Sequence, residues 1–205
     1  MKILSLNLNR HQQAARQRVL LRKHAANVLC LQEARSECVE YLESLGYWTL
    51  FAPQWKEVED GKEYLVGSLI ASLTAPCHHH NFYYRGAESY VPEFDSGQIS
   101  QMEIPRAVQL ISVEADGRAV SILNTHFTWS SNGVPSEIQR ADAKRLNRYL
   151  GGLADFLLVG DMNAPWGGEV SRLLRKDAIS LIPNNYPRNL RCSLIYAGEL
   201  KIIFE

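Results

Sequence analysis

Asp155-Phe156-Leu157-Leu158-Val159-Gly160-Asp161-Met162-Asn163 is an apolar run that ends abruptly in a glycine and two polar side chains. Phe156 to Val159 has the length and unbroken apolar character of a strand buried on both faces, and Gly160 frees the backbone where that strand ends. Asp161 and Asn163 are two residues apart, so an extended backbone points both to one side and offers a carboxylate and an amide to one small volume. A strand closed by an Asx-type turn accounts for the same residues without any chemistry. The rest of the chain decides between these readings.

Strand and helix patterns extend outward from this stretch. Lys2 to Asn9 alternates Leu4, Leu6 and Leu8 with Ser5, Asn7 and Asn9, which predicts a strand ending in amides. Good helix formers fill Gln12 to Ala26, and the short apolar run Val28 to Gln32 then delivers Glu33 at its end. Ser36 to Leu45 is an expected helix stopped by Gly46. Strands are expected at Tyr47 to Phe51, Tyr64 to Leu73 and Asn81 to Arg85, with Gln54 to Glu63 as an exposed connection and Gly86 to Gly97 as a long loop. Arg106 to Glu114 and Ala119 to Thr128 flank Ala115-Asp116-Gly117-Arg118, whose Asp-Gly pair suits a hairpin turn. Ser136 to Leu150 and Gly168 to Lys176 read as helices, and Leu200 to Phe204 as a closing strand. With 205 residues, 46% of them hydrophobic, one α/β domain is long enough to bury roughly 70% of its unfolded surface.

Charge and composition narrow the function. Lys plus Arg and Asp plus Glu both number 22, so there is no overall field to attract a polyanion, and a dedicated nucleic-acid binder is usually more basic. No run approaches the roughly 20 apolar residues of a membrane span. The residues Met1 to Ser5 lack the apolar core of a signal peptide, so a cytoplasmic location is expected. Cys30, Cys38, Cys77 and Cys192 show no Cys-x-x-Cys spacing and are expected as free thiols. His78-His79-His80 is read as a solvated edge, because only His78 and His80 share a side of a strand and no second cluster completes a zinc site. Trp129, Trp166 and Tyr90 fit either a cleft wall or ordinary half-buried aromatics.

The ends of separate predicted strands carry Asn7 and Asn9, Glu33, Asn124 and His126, and Asp161 and Asn163. Oxygen donors with few histidines suit a hard cation such as Mg²⁺, which takes one or two carboxylates, waters and phosphate oxygens. Glu33 is the leading carboxylate. Such an ion polarises a phosphoryl oxygen while a base activates the attacking water.

In their order and spacing, Ile3-Leu4-Ser5-Leu6-Asn7-Leu8-Asn9, Leu31-Gln32-Glu33, Pro105-Arg106-Ala107, Asn124-Thr125-His126-Phe127 and Gly160-Asp161-Met162-Asn163 make the chain resemble the endonuclease/exonuclease/phosphatase superfamily, the DNase I-like fold. The resemblance implies a four-layer sandwich, two mixed β-sheets packed face to face with helices on both outer faces and the active site at one rim. It implies a phosphohydrolase dependent on Mg²⁺, with Mn²⁺ as the alternative ion. Glu33 and Asn7 match the metal site. Asp161 matches the residue that orients the attacking water or helps hold the metal, Asn163 the amide on the scissile phosphate, and His126 the histidine that contacts or protonates phosphate oxygens. Arg106, with Asn9 and Asn124, is expected to bind phosphate. The substrate class stays open among small phosphoesters, lipid head groups and nucleic acids, with DNA or RNA endonuclease action as an alternative. No obligate protein partner is evident.

One departure is expected at the C-terminus. Family members close with a strand whose Asp pairs with a catalytic His supplied further on. Here Leu200 to Glu205 resembles the strand before that motif, with Glu205 where the pairing Asp belongs. The reading is therefore of a C-terminally incomplete domain spanning 1–205, with a catalytically impaired binding module as its second interpretation.

Overall fold

The computed structural model describes residues 1–10, 14–94, 103–115, 117–165 and 167–174, and the backbone of 179–180 and 192–197. The expected closing strand and Glu205 lie outside the described residues. A four-stranded sheet is formed by β1 (Ile3–Asn7), β2 (Val28–Arg35), β4 (Lys62–Ser72) and β3 (Trp48–Glu59), in that spatial order. The second sheet has six strands in the order β5 (His78–Arg85), β6 (Arg106–Ala115), β7 (Arg118–His126), β8 (Phe156–Asp161), β10 (Cys192–Ala197) and β9 (Ile179–Ser180). Both sheets are mixed: β1 runs parallel to β2 and β7 parallel to β8, while the other pairs are antiparallel.

Strand alternation builds the layers. Leu157 and Val159 of β8 pack between the sheets against Val28, Cys30 and Ile70, whereas Leu158 faces outward into a cluster with Leu146 and Leu150. Those leucines belong to α3 (Glu137–Leu150), which covers the outer face of the six-stranded sheet together with α4 (Glu169–Leu174). On the opposite side, Leu29, Leu31 and Leu69 face Leu21 of α1 (Ala14–His24) and Leu42 of α2 (Glu37–Glu43). The four-layer α/β sandwich is thus present, and β8 is buried on both faces as its apolar run requires. Ser136 caps α3 by accepting a hydrogen bond from the Gln139 backbone N–H at 3.1 Å, while Ser36 makes no such bond before α2.

β9 and β10 have no counterpart in the sequence expectation, and one further segment differs from it. Gln54 to Glu63 is a β-hairpin and not a loose connection, since β3 continues to Glu59 and β4 begins at Lys62. Its turn is Asp60-Gly61, both at positive φ (51° and 74°), the chemistry that two-residue hairpins favour. The charged residues that suggested an exposed loop alternate with inward-facing Trp55 and Glu57, which are buried. The His78–His80 run lies on β5 at the edge of its sheet, as read, with His80 Nε2 hydrogen-bonded to the Tyr149 hydroxyl at 2.6 Å. Cys30, Cys38 and Cys77 are free thiols. Among the described residues no helix is long and apolar enough to cross a membrane.

Candidate active site

β1, β2, β7 and β8 end at one rim of the sandwich, where all but one of the site residues singled out in the sequence meet. Asn7 is the last residue of β1, and its Nδ2 donates to Glu33 Oε1 and to Asp161 Oδ2, each at 3.1 Å. His126 ends β7 opposite Asp161 in the parallel ladder, and its Nε2 lies 3.7 Å from Glu33 Oε1. The resulting cleft of about 530 Å³ is lined by Asn7, Asn9, Glu33, His126, Asp161 and Asn163, with Arg106 among its other walls. A volume of this order suits a small-molecule ligand.

Local backbone geometry aims these side chains. Glu33 sits at a β-bulge: pairing jumps from Leu31↔Leu69 to Ala34↔Gly67, so two residues of β2 oppose one of β4. The extra residue turns Glu33 to φ 51° and directs it along the rim. Asn9, Arg10 and Asn163 also have positive φ, so among the described residues four of the six non-glycine residues in that conformation line the cleft. Such strain persists only where surrounding bonds enforce it. Those bonds are present: Asn7 Oδ1 accepts from the Asn9 N–H at 2.8 Å, Arg10 N–H donates to the Glu33 carbonyl at 3.1 Å, and Asp161 Oδ1 accepts from the Asn163 N–H at 2.9 Å. The Asn163 amide in turn donates to the Phe127 carbonyl at 2.9 Å. The Asx turn anticipated after β8 and the rim site are therefore the same structure.

Burial sets the electrostatics. Desolvation raises the Glu33 pKa and the nearby Asp161 charge adds to it, while the Asn7 hydrogen bond and Arg10 oppose the shift. His126 is held well below its ordinary value, first by burial and then by the Arg106 cation, so it is neutral near pH 7. Its Nδ1 is buried without a hydrogen-bond partner among the described residues. Arg106 is only 2% exposed and its pKa is pushed down to about 10 by burial, still cationic at neutral pH. One guanidinium nitrogen donates to the His126 carbonyl at 3.3 Å.

Among the described residues no group of three or more His, Cys, Asp or Glu is arranged to hold a metal ion. The donor chemistry nevertheless fits one hard cation: two carboxylates, Glu33 and Asp161, are gathered by one amide, and burial first and the Asp161 charge second disfavour the ionised Glu33 that a divalent ion would stabilise. Asn7, expected as a ligand, presents its nitrogen to these carboxylates while its oxygen accepts from Asn9, so here it acts as a tether.

Asn124 does not belong to this cleft. It is fully buried between the sheets, where its amide donates to Gln109 Oε1 at 3.0 Å and to the Leu31 carbonyl at 3.1 Å, and accepts from Gln32 Nε2 at 2.7 Å. Alternation explains the correction: Asn124 is two residues before His126 and shares its face of β7, but it lies one step deeper, where facing amides fill the space. Trp129 lines the cleft, Tyr90 is not among its lining residues, and Trp166 lies outside the described residues. Sequence reasoning missed Arg10, Trp55, Phe94 and Ile104. Recognising Asp60-Gly61 as a turn would have put Trp55 on a strand, facing inward with Glu57.

The model of the endonuclease/exonuclease/phosphatase family matches residues 4–195. Among solved structures, the chain is similar to a mannosyl-6-phosphatase of Bacteroides thetaiotaomicron at 12% identity and TM-score 0.68, over 97% of this chain and 86% of that one. The human Nocturnin catalytic domain with bound sulfate is similar at 16% identity and TM-score 0.69, over 96% and 81% of the two chains. A conserved protein of unknown function from Enterococcus faecalis matches at 18% identity and TM-score 0.69, over 97% and 88%. At these identities the likeness establishes the fold. No curated protein matches the sequence significantly.

Proposed function

The chain belongs to the endonuclease/exonuclease/phosphatase family, a family of phosphoester-cleaving hydrolases, and from that premise we propose that it hydrolyses small phosphoesters with the help of a divalent cation. The observation that carries the reading is the meeting of four strands at one rim, where Asn7 lies 3.1 Å from both Glu33 and Asp161 and His126 lies 3.7 Å from Glu33. Mg²⁺, or Mn²⁺ in its place, would be held chiefly by Glu33. When bound, such an ion polarises a phosphoryl oxygen and offsets the charge that builds up in the transition state.

The protein's own groups do the rest. Asp161 orients the attacking water and takes up its proton, held in place by Asn7 and the Asn163 N–H. His126, neutral and confined by burial, offers a ring nitrogen to a phosphoryl oxygen without needing a charge of its own. Arg106 supplies the buried positive charge behind it, and Asn9 and Asn163, which line the cleft, would contact the phosphate from the rim. A cleft of about 530 Å³ in a chain of zero formal net charge favours a small ester over a long polyanion.

The test is turnover of a panel comprising a bis-aryl phosphate, phosphomonoesters, and single- and double-stranded DNA and RNA, with Mg²⁺ or Mn²⁺ and with chelator. Metal-dependent cleavage of the small esters, lost in Glu33→Gln, is expected. Cleavage confined to the nucleic acids would replace this reading with the endonuclease one, and no turnover above Glu33→Gln on any substrate would end both.

A further inference from the structure

An aromatic wall rises from the polar floor of the cleft, and hydrolysis itself makes no use of it. The Trp55 ring lies 6.4 Å from the His126 ring, the Phe94 ring 5.9 Å from Trp55, and the Arg10 guanidinium carbon 5.7 Å from the centre of Phe94. These are contact separations for aromatic and cation–π neighbours, so the wall is continuous from the imidazole to Arg10. Ile104, buried, packs with Trp55 and also lines the cleft. Trp129 lines the same cleft and is 40% exposed, a large apolar side chain left open beside charged groups.

A buried carboxylate fixes this wall before any ligand arrives. Glu57 accepts from the Trp55 indole N–H at 3.2 Å, from Arg10 at 3.2 Å and from Arg35 at 3.4 Å. Because one group sets both the tilt of Trp55 and the reach of Arg10, little side-chain freedom remains to be lost on binding. A wall serving only as core would not need its outer end held by an ion pair at the opening of the cleft.

We infer that the alcohol component of the substrate carries a planar aromatic or heteroaromatic ring, seated against Trp55 and Phe94 beside Trp129, while the phosphate rests among Glu33, His126 and Asp161. The inference rests on the phosphoester reading and names the class of ester. One ester oxygen separates phosphate from ring, and one contact step separates His126 from Trp55, so the two ends of such a ligand match the two ends of the cleft. Arg10 at the outer end adds cation–π attraction for an electron-rich ring. An alkyl ester gains only the smaller area that it buries.

Phenylphosphonate and methylphosphonate test this without turnover, because their carbon–phosphorus bonds are not hydrolysed. Calorimetric titration of the full chain with Mg²⁺ should show phenylphosphonate binding about tenfold or more tightly. Trp129→Ala and Phe94→Leu should each reduce that preference several-fold, and Trp129→Phe should keep most of it. Equal affinity for the two phosphonates, or a preference unchanged in both Trp129→Ala and Phe94→Leu, overturns the aromatic subsite while leaving phosphoester hydrolysis standing. If neither phosphonate binds, the phosphoester reading falls and the subsite with it.

Discussion

The side chains of Asn7 and Asp161, 154 positions apart in the chain, are joined by a hydrogen bond of 3.1 Å that ties the rim of one sheet to the rim of the other. The same amide nitrogen reaches Glu33 at 3.1 Å, and the amide oxygen accepts from the Asn9 N–H at 2.8 Å. Two donors and one acceptor are needed on a single short side chain, which asparagine supplies and aspartate does not.

Asn7→Asp should therefore destabilise the metal-free protein. It removes both donated bonds and places a third carboxylate beside Glu33 and Asp161, at a cost of about 1–3 kcal/mol. Urea unfolding in chelator measures the loss, and added Mg²⁺ should restore much of it because three carboxylates hold a cation more tightly. Asn7→Leu should lose stability without that recovery. An Asn7→Asp protein as stable as wild type in chelator would mean that the amide is not a tether.

Glu33→Gln keeps the shape of the side chain and the Asn7 bond but removes the charge. Turnover should fall on the order of 10²-fold or more, with the fold retained by circular dichroism. In calorimetry the variant should bind Mg²⁺ at least about tenfold more weakly.

Much of this rim was legible in the sequence because strand ends are. Apolar runs gave β1, β2, β7 and β8, and the polar residue after each run pointed to Asn7, Glu33, His126 and Asp161. What pattern could not give was depth: Asn124 shares a face with His126 and only packing between the sheets separates their roles. Nor could alternation reveal the bulge that turns Glu33 toward the rim, since the unpaired residue exists only relative to β4. Trp55 was hidden for a third reason. Charged neighbours made its strand look like a loop, although Asp60-Gly61 marked the hairpin. Arg10 and Phe94 come from irregular segments, where no periodicity assigns a facing direction.

Gly160 is the least replaceable position near the site. Its φ of +143° is unfavourable for any side chain, and a methyl group there would collide with the Thr125 carbonyl oxygen on the neighbouring strand. Gly160→Ala must push β8 away from β7 at the Thr125 pair, next to the one where His126 faces Asp161. A loss of about 2–4 kcal/mol in unfolding free energy, with lower turnover in the fraction that folds, is expected.

Asn124→Ala separates packing from binding. It leaves Gln32 and Gln109 without their shared partner between the sheets, and buried amides in that condition cost about 1–3 kcal/mol. Because Asn124 lies outside the cleft, KM for a cleaved ester should stay near the wild-type value while the denaturation midpoint drops. A several-fold rise in KM with unchanged stability would return Asn124 to the binding residues.

His126 should make the metal-free protein acid-sensitive. Its folded pKa is depressed well below the ordinary 6.5, by burial first and by Arg106 second. Above about pH 6.5 neither the folded nor the unfolded chain protonates this imidazole, so its contribution to stability is complete and constant. Below that pH the unfolded chain takes up a proton that the folded chain refuses, and stability falls by up to about 1.4 kcal/mol per pH unit until the folded pKa is reached. Glu33 works in the opposite sense: its raised pKa lets the folded chain keep a proton that the unfolded chain has lost, so stability falls as pH rises from 4.5 through the folded value. Comparing wild type with His126→Asn isolates the histidine, because Glu33 titrates in both. Urea midpoints in chelator, measured between about pH 7.5 and pH 5, should show wild type losing its advantage over the variant as pH falls. A difference that stays flat across that range would show that His126 takes up its proton as readily in the folded chain as in the unfolded one.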